Sequence, residues 1–269
     1  MDNDYISITE IAGVEVTQEQ IDRLCNRYYW AGRYCYGKEV VEAACGSGQG
    51  LGYLLGIARS IDAGDYSDEI LSIARKHYGN RISLTQFDAQ NMPFANKSKD
   101  VIILFEAIYY LPDAKKFVSE CVRILRPRGK VLITTANKDL YDFNPSPHSY
   151  KYYGVVELND LFARYGFETE FFGYTRVGNI SIRQRMLRPV KKLAVMLNIM
   201  PKTTAGKKWL KRIVFGKLVK MPAEIGPLIK QNEENKGALY RAGYVEPEKI
   251  PSDKANTSHK VIYCVATLK

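Results

Sequence analysis

The sequence predicts an α/β fold: a doubly wound, mostly parallel sheet with an antiparallel last strand and a basic helical insertion. Three observations carry this. Between residues 40 and 174, short apolar runs alternate with helical segments of about 10–15 residues, the order of a parallel sheet with helices on its faces. The most apolar run, 101–105 (VIILF), has no polar alternation, as expected of a strand covered on both sides. A glycine-rich loop at 44–50 (ACGSGQG) joins a buried strand to a helix.

The elements follow in order. Residues 1–37 form a helical cap: Thr17 is the N-cap with Gln20 at the capping-box position, and Ile21, Leu24 and Tyr28 share one face. Strand 40–44 enters the glycine loop and a helix from about 50 to 58. Strand 60–64 ends at Asp65, and Ser67 caps a helix reaching Tyr78. Strands 82–86 and 101–105 come next. The helix at 115–125 turns Phe117, Val118, Cys121, Val122 and Leu125 inward, and Pro127 and Gly129 break it. Strand 130–135, helix 157–165 and strand 167–174 complete the run. The chain closes with 261–267 (VIYCVAT), a strand expected to return to the sheet. The core is therefore 38–175, with 259–269 as its final strand and 176–258 as an insertion or lid.

Hydrophobic residues make up 46% and charged residues 25%, the balance of a globular protein. No run of 18 apolar residues suggests a spanning helix. The acidic start (MDND) and five cysteines without CxxC spacing predict a reducing, cytoplasmic setting, with no disulfide framework and no metal site. The net charge of +10 is uneven: thirteen Lys/Arg and no Asp/Glu fall within 176–220, leaving the rest net acidic by three. Two cationic amphipathic helices are expected there, at 181–199 and at 205–220 with Trp209. Such helices suit peripheral contact with an anionic membrane surface through 181–220. A lid packed on the domain, or on a homodimer partner, satisfies the same pattern.

Glycines at 46 and 48 let backbone amides approach a ligand and take up positive φ. The loop lacks the GK[ST] of a phosphate loop, and Leu51 stands where a dinucleotide fingerprint needs glycine. Asp65 follows Gly48 by 17 residues at a strand end, where a carboxylate accepts from ribose hydroxyls; Asp62 competes, and capping of the next helix is the plainer role. Asp88, after the third strand, suits an adenine amino group or a solvated turn. All three stand at the carboxyl ends of strands, where such sheets bind ligands.

On these residues the chain resembles the Rossmann-like class I S-adenosylmethionine-dependent methyltransferases, in the broad small-molecule group, from about 40 to 174. The first motif matches 41–48 (VEAACGSG), the second 64–71 (GDYSDEIL), the third 88–94 (DAQNMPF) and the fourth 100–106 (DVIILFE). Residues 123–129 (RILRPRG) resemble the family's R-x-L-x-P-G-G turn, with Arg128 in place of a glycine. The resemblance implies S-adenosyl-L-methionine as cofactor, held by Tyr28, Glu42, Ala44, Gly46, Ser47, Gly48, Asp65, Tyr66, Asp88, Ala89 and Phe105. Tyr28 and Trp30 are expected either over the methionine end or in the core.

An activated sulfonium methyl needs mainly alignment, but a hydroxyl acceptor needs a base. His148, in 144–148 (NPSPH), is the first candidate, with Tyr109 and Glu106 beside it. Nucleic acid is an unfavoured acceptor, because 105–109 (FEAIY) lacks the Asn/Asp-Pro-Pro-aromatic run of base-amino methylating enzymes. In style the sequence resembles methyltransferases of surface-glycan biosynthesis. This gives an expected acceptor: a hydroxyl of a sugar or glycan precursor, lipid- or nucleotide-linked. A quinone, polyketide or other natural-product ring is the alternative acceptor. A non-catalytic cofactor-binding or RNA-binding module is the alternative class.

Overall fold

The computed structural model describes residues 9–146, 148–179, 189, 218–227 and 243–269. Ten strands are present among them: β1 (Glu15–Val16), β2 (Glu39–Ala43), β3 (Ser60–Asp65), β4 (Ser83–Gln86), β5 (Lys99–Phe105), β6 (Leu125–Ala136), β7 (Phe167–Arg176), β8 (Val219–Lys220), β9 (Glu248–Ile250) and β10 (His259–Leu268). The helices are α1 (Gln18–Cys35), α2 (Leu51–Leu55), α3 (Asp68–Tyr78), α4 (Ala114–Ile124) and α5 (Val155–Ala163).

Eight strands form one sheet in the order β4-β3-β2-β5-β6-β10-β7-β9. The pairs from β4 to β6 are parallel, while β10 runs antiparallel to both β6 and β7. The last strand thus returns between β6 and β7, and the sheet is the mixed, doubly wound one that the sequence predicts. Its order reverses at β2, so the loops after β2 and β5 diverge there and open a crevice.

The apolar runs read continuously because successive side chains feed two cores. Val101, Ile103 and Phe105 face the core built with α1, α2 and α3. Ile102 and Leu104 face the core built with α4 and α5. Each fully buried Ile or Leu contributes roughly 1.5–3 kcal/mol, so β5 alone anchors the sheet.

The caps are as the sequence predicts. Thr17 Oγ1 accepts from Gln20 N and Thr17 N donates to Gln20 Oε1, while Ser67 accepts from Ile70 N at 3.3 Å. Two expectations are corrected, and one open alternative, for Trp30, falls to the core. Val122 is 37% exposed, because it lies on the shoulder of the α4 stripe formed by Phe117, Val118 and Cys121. Trp30 does not approach the crevice: it is fully buried against Tyr34, Phe172 and Tyr263. Val219–Lys220, placed at the end of the second basic helix, is strand β8 and pairs with β1. There the chain is drawn across the fold by backbone bonds, from Gly13 N to Met221 O and from Met221 N to Val14 O. The remainder of the two basic helices, apart from residue 189, lies outside the described residues up to 217. Arg128, where the family's turn has glycine, sits at φ 66°, a conformation that disfavours a side chain.

The segment after β8 is held against the glycine loop. Ile225 N donates to Gln49 O at 2.9 Å, and Tyr29 Oη donates to Gly226 O at 3.1 Å. Glu224 packs over Gly52 and bonds His77 Nε2 at 2.7 Å and Arg81 at 2.8 Å. Among the described residues, no helix is long and apolar enough to cross a membrane.

Candidate active site

A cavity of about 1210 Å³ opens at the carboxyl ends of β2, β3, β4 and β5. Its floor is the loop after β2. Ala44, Gly46 and Gly48 all take positive φ, at 55°, 59° and 82°, which makes the tight turn of the loop. Gly46 N donates to Asp65 Oδ2 at 2.9 Å, and Ser67 N donates to Asp65 Oδ1 at 2.9 Å. One carboxylate therefore ties the ends of β2 and β3 together. Burial pushes its pKa up, and the two amides oppose that shift.

Glu42 lies beneath the loop and is only 1% exposed. Tyr28 Oη donates to its Oε1 at 2.6 Å, and its Oε2 has no hydrogen-bond partner. Burial raises this carboxyl to about 7. The Tyr28 ring meets Phe105 edge-on at 5.4 Å and lies over Gly50, where a Cβ would stand 2.1 Å from the ring. Glycine at 50 is thus required by the approach of α1 to the loop.

At the next strand end, Asp88 accepts from Gln90 N at 2.8 Å and from the Gln90 amide at 3.1 Å on each oxygen. Gln90 Oε1 accepts from Asp113 N at 2.8 Å, which fixes the turn against α4. Asp88, Ala89, Gln90, Tyr66 and Phe105 line the cavity.

The far end is built from the exit of β5 and the segment after β6. Glu106 takes φ 51°, and its N–H donates to Thr134 O at 2.8 Å. That turn points its side chain into the cavity, where Tyr109 Oη donates to it at 3.2 Å. Burial raises the Glu106 pKa, with Arg27 and Arg23 opposing. Tyr109 stacks on Tyr152 at 4.2 Å, and Tyr110 Oη bonds Ser146 Oγ at 2.6 Å.

Of the residues picked from sequence, Tyr28, Glu42, Ala44, Gly46, Asp65, Tyr66, Asp88, Ala89, Phe105, Glu106 and Tyr109 line this one cavity. Ser47 and Gly48 do not; Ser47 is 2% exposed within the loop, and Gly48 O accepts from Tyr78 Oη at 2.6 Å. His148 does not either. It is exposed at φ 64° in the segment after β6, between Ser146 and Tyr150, which do line the cavity. The cavity also holds residues that the motifs do not mark: Glu10, Arg23, Arg27, Gln49, Ser146, Tyr150 and Tyr263. Arg23 and Arg27 had one legible signal, a spacing of four that places both beside Tyr28 on α1. Among the described residues no cluster of metal-binding side chains is present.

The donor end fits S-adenosylmethionine on its own geometry: a glycine turn, a strand-end carboxylate at Asp65, and a buried Glu42 oxygen that lacks a partner. Residues 41–133 match the family model of the methyltransferase domain. A probable S-adenosylmethionine-dependent methyltransferase of Mycolicibacterium smegmatis is 30% identical over 167 residues, covering 57% of this chain and 65% of that protein. A phthiotriol/phenolphthiotriol dimycocerosates methyltransferase of Mycobacterium ulcerans is 36% identical over 104 residues, 36% of this chain and 37% of that protein. The chain thus spans 65% or less of the length of these curated relatives. Among solved structures, the YcgJ protein of Bacillus subtilis aligns with a TM-score of 0.57 at 15% identity, over 90% of this chain and 98% of that one. A SAM-dependent methyltransferase of Archaeoglobus fulgidus aligns with a TM-score of 0.54 at 14% identity, over 93% of each chain. These two likenesses speak for the fold, and the sequence matches speak for the donor motifs. Together they show that residues 41–133 match the methyltransferase domain and that the chain has the fold of these two solved structures.

Proposed function

We propose that this chain transfers the methyl group of S-adenosylmethionine to a hydroxyl of a small-molecule acceptor, a sugar or glycan precursor, with Glu106 as the base. The observation that carries it is the position of Glu106. It is a half-buried carboxylate at the exit of β5, inside the cavity that Asp65 and Glu42 line at the other end. The cofactor supplies a methyl already activated on a sulfonium. The protein's work is then to align the acceptor oxygen and take its proton. A carboxyl raised by burial is a better proton acceptor than an exposed one, and Tyr109 orients it through Oη. His148 has no part in this reading. Asp65, Asp88 and the amides of the loop hold the adenosyl end, and Glu42 faces the methionyl end.

A second acceptor class is supported by the dimycocerosate methyltransferase relatives: a hydroxyl on a lipid or polyketide chain. The aromatic wall of Tyr109, Tyr110 and Tyr150 would accommodate either a sugar face or an aliphatic chain. Transfer of labelled methyl from the cofactor to a panel of sugars, nucleotide sugars, phenols and long-chain diols separates the two. Calorimetry with S-adenosylhomocysteine tests the donor end. Asp65→Ala should weaken binding about tenfold to a hundredfold, the worth of hydrogen bonds to a charged group. Equal affinity would remove Asp65 from the cofactor site.

A further inference from the structure

We propose that the α1 wall of the cavity is an anion site for the acceptor, in which Arg27, flanked by Arg23, holds a carboxylate or phosphoryl group while the acceptor's hydroxyl faces Glu106. The inference rests on the methyl-transfer reading of the cavity and names the acceptor's charge.

Arg23 and Arg27 lie one turn apart on α1 and both line the cavity. Both have a buried Nε without a hydrogen-bond partner. Arg23 is partly engaged, by an ion pair with Glu19 one turn earlier. Arg27 has no hydrogen bond and no ion pair among the described residues. Its guanidinium carbon stands 5.8 Å from the Tyr28 ring centroid. A guanidinium in a half-buried wall is costly unless its donors are met, and its planar fork matches a carboxylate or phosphoryl group with two parallel bonds.

Both arginines act electrostatically on Glu106. The groups that act on Arg27 include Tyr28, Glu106, Glu10 and Tyr263, from α1, the β5 exit, the N-terminal segment and β10. Arg27 also acts on Glu42, so it stands between Glu106 and the end that Glu42 lines. Glu10 is already engaged by the Gln20 amide. Glu106 is satisfied by Tyr109, not by Arg27. The pair of arginines would also favour the ionised acceptor near Glu106, which lowers the cost of taking a proton there.

The oxyanion can have two sources, the acceptor or the methionyl carboxylate of the cofactor, and the test separates them. The full-length protein is saturated with S-adenosylhomocysteine and titrated with inorganic phosphate at constant ionic strength. Wild type is compared with Arg27→Met, which keeps the stem and removes the fork, and with Arg27→Lys. The expected result is millimolar phosphate binding to the saturated wild type, weakened at least tenfold by Arg27→Met and partly kept by Arg27→Lys. In parallel, Arg27→Met should bind S-adenosylhomocysteine and 5′-methylthioadenosine as wild type does. Absence of phosphate binding to the saturated wild type, or equal binding by Arg27→Met, overturns the proposal. So does a tenfold loss for S-adenosylhomocysteine with 5′-methylthioadenosine unchanged, because that assigns the guanidinium to the cofactor's carboxylate. Failure of wild type to bind S-adenosylhomocysteine at all would instead overturn the methyl-transfer reading beneath it.

Discussion

The two ends of the cavity are built by different means. At the donor end, backbone does most of the work: Asp65 is held by the amides of Gly46 and Ser67, and Asp88 by the amide of Gln90. At the acceptor end side chains do it. Glu106, Tyr109, Arg23, Arg27, Ser146 and Tyr150 converge from α1, the β5 exit and the segment after β6, and the Nε atoms of Arg23 and Arg27 lack partners. A backbone-built site carries its ligand preference with the loop, so it is common to a family. A side-chain site is retuned by single substitutions and sets what each member accepts.

The comparison can be broken most directly at Glu106. Glu106→Gln keeps the shape and removes the base, so turnover should fall about 10²- to 10⁴-fold with cofactor affinity unchanged. A parallel loss of S-adenosylhomocysteine binding by calorimetry would show that the two ends are not separable. Gly50→Ala tests the donor end through packing. Its Cβ meets the Tyr28 ring, so the ring and its bond to Glu42 must shift. We expect about 1–3 kcal/mol of destabilisation in thermal melts, with weakened cofactor binding.

The pH dependence follows from Glu42. Its folded-state pKa of about 7 lies above its ordinary value near 4.5. Between these values the folded chain holds the proton more tightly than the unfolded chain, so stability falls as pH climbs from about 4.5 to about 7. The loss should be on the order of 3 kcal/mol for the ligand-free protein, and Glu42→Gln should flatten that part of a melting-temperature profile. The smallest effect is expected at Ala44. It holds φ 55° with a side chain, so Ala44→Gly should relieve strain and stabilise the ligand-free protein by about 0.5–1 kcal/mol in denaturant titration.

Much of the fold was legible because periodicity and capping are local. The parallel strands, the caps at Thr17 and Ser67 and the returning strand 261–267 all follow from spacing within short windows. The pairing of Val219–Lys220 with β1 was not, since a two-residue strand some 200 residues from its partner leaves no pattern of its own. His148 looked suitable because a histidine after the strand at 130–135 has the right chemistry. Only the path of that segment leaves it exposed and outside the cavity lining, between Ser146 and Tyr150, which line it.

The sequence by itself determined the motifs of the donor end. The glycine turn, Asp65 and Asp88 each act through the strand end that carries them, and chain order alone brings those ends together in a parallel sheet. Only the tertiary structure decided the other half. It put Arg23 and Arg27 on the same cavity as Glu106 and Tyr109, and it placed Trp30 in the core. The reason is physical: those residues meet through packing of elements distant in the chain, and no short-range periodicity records which faces will meet.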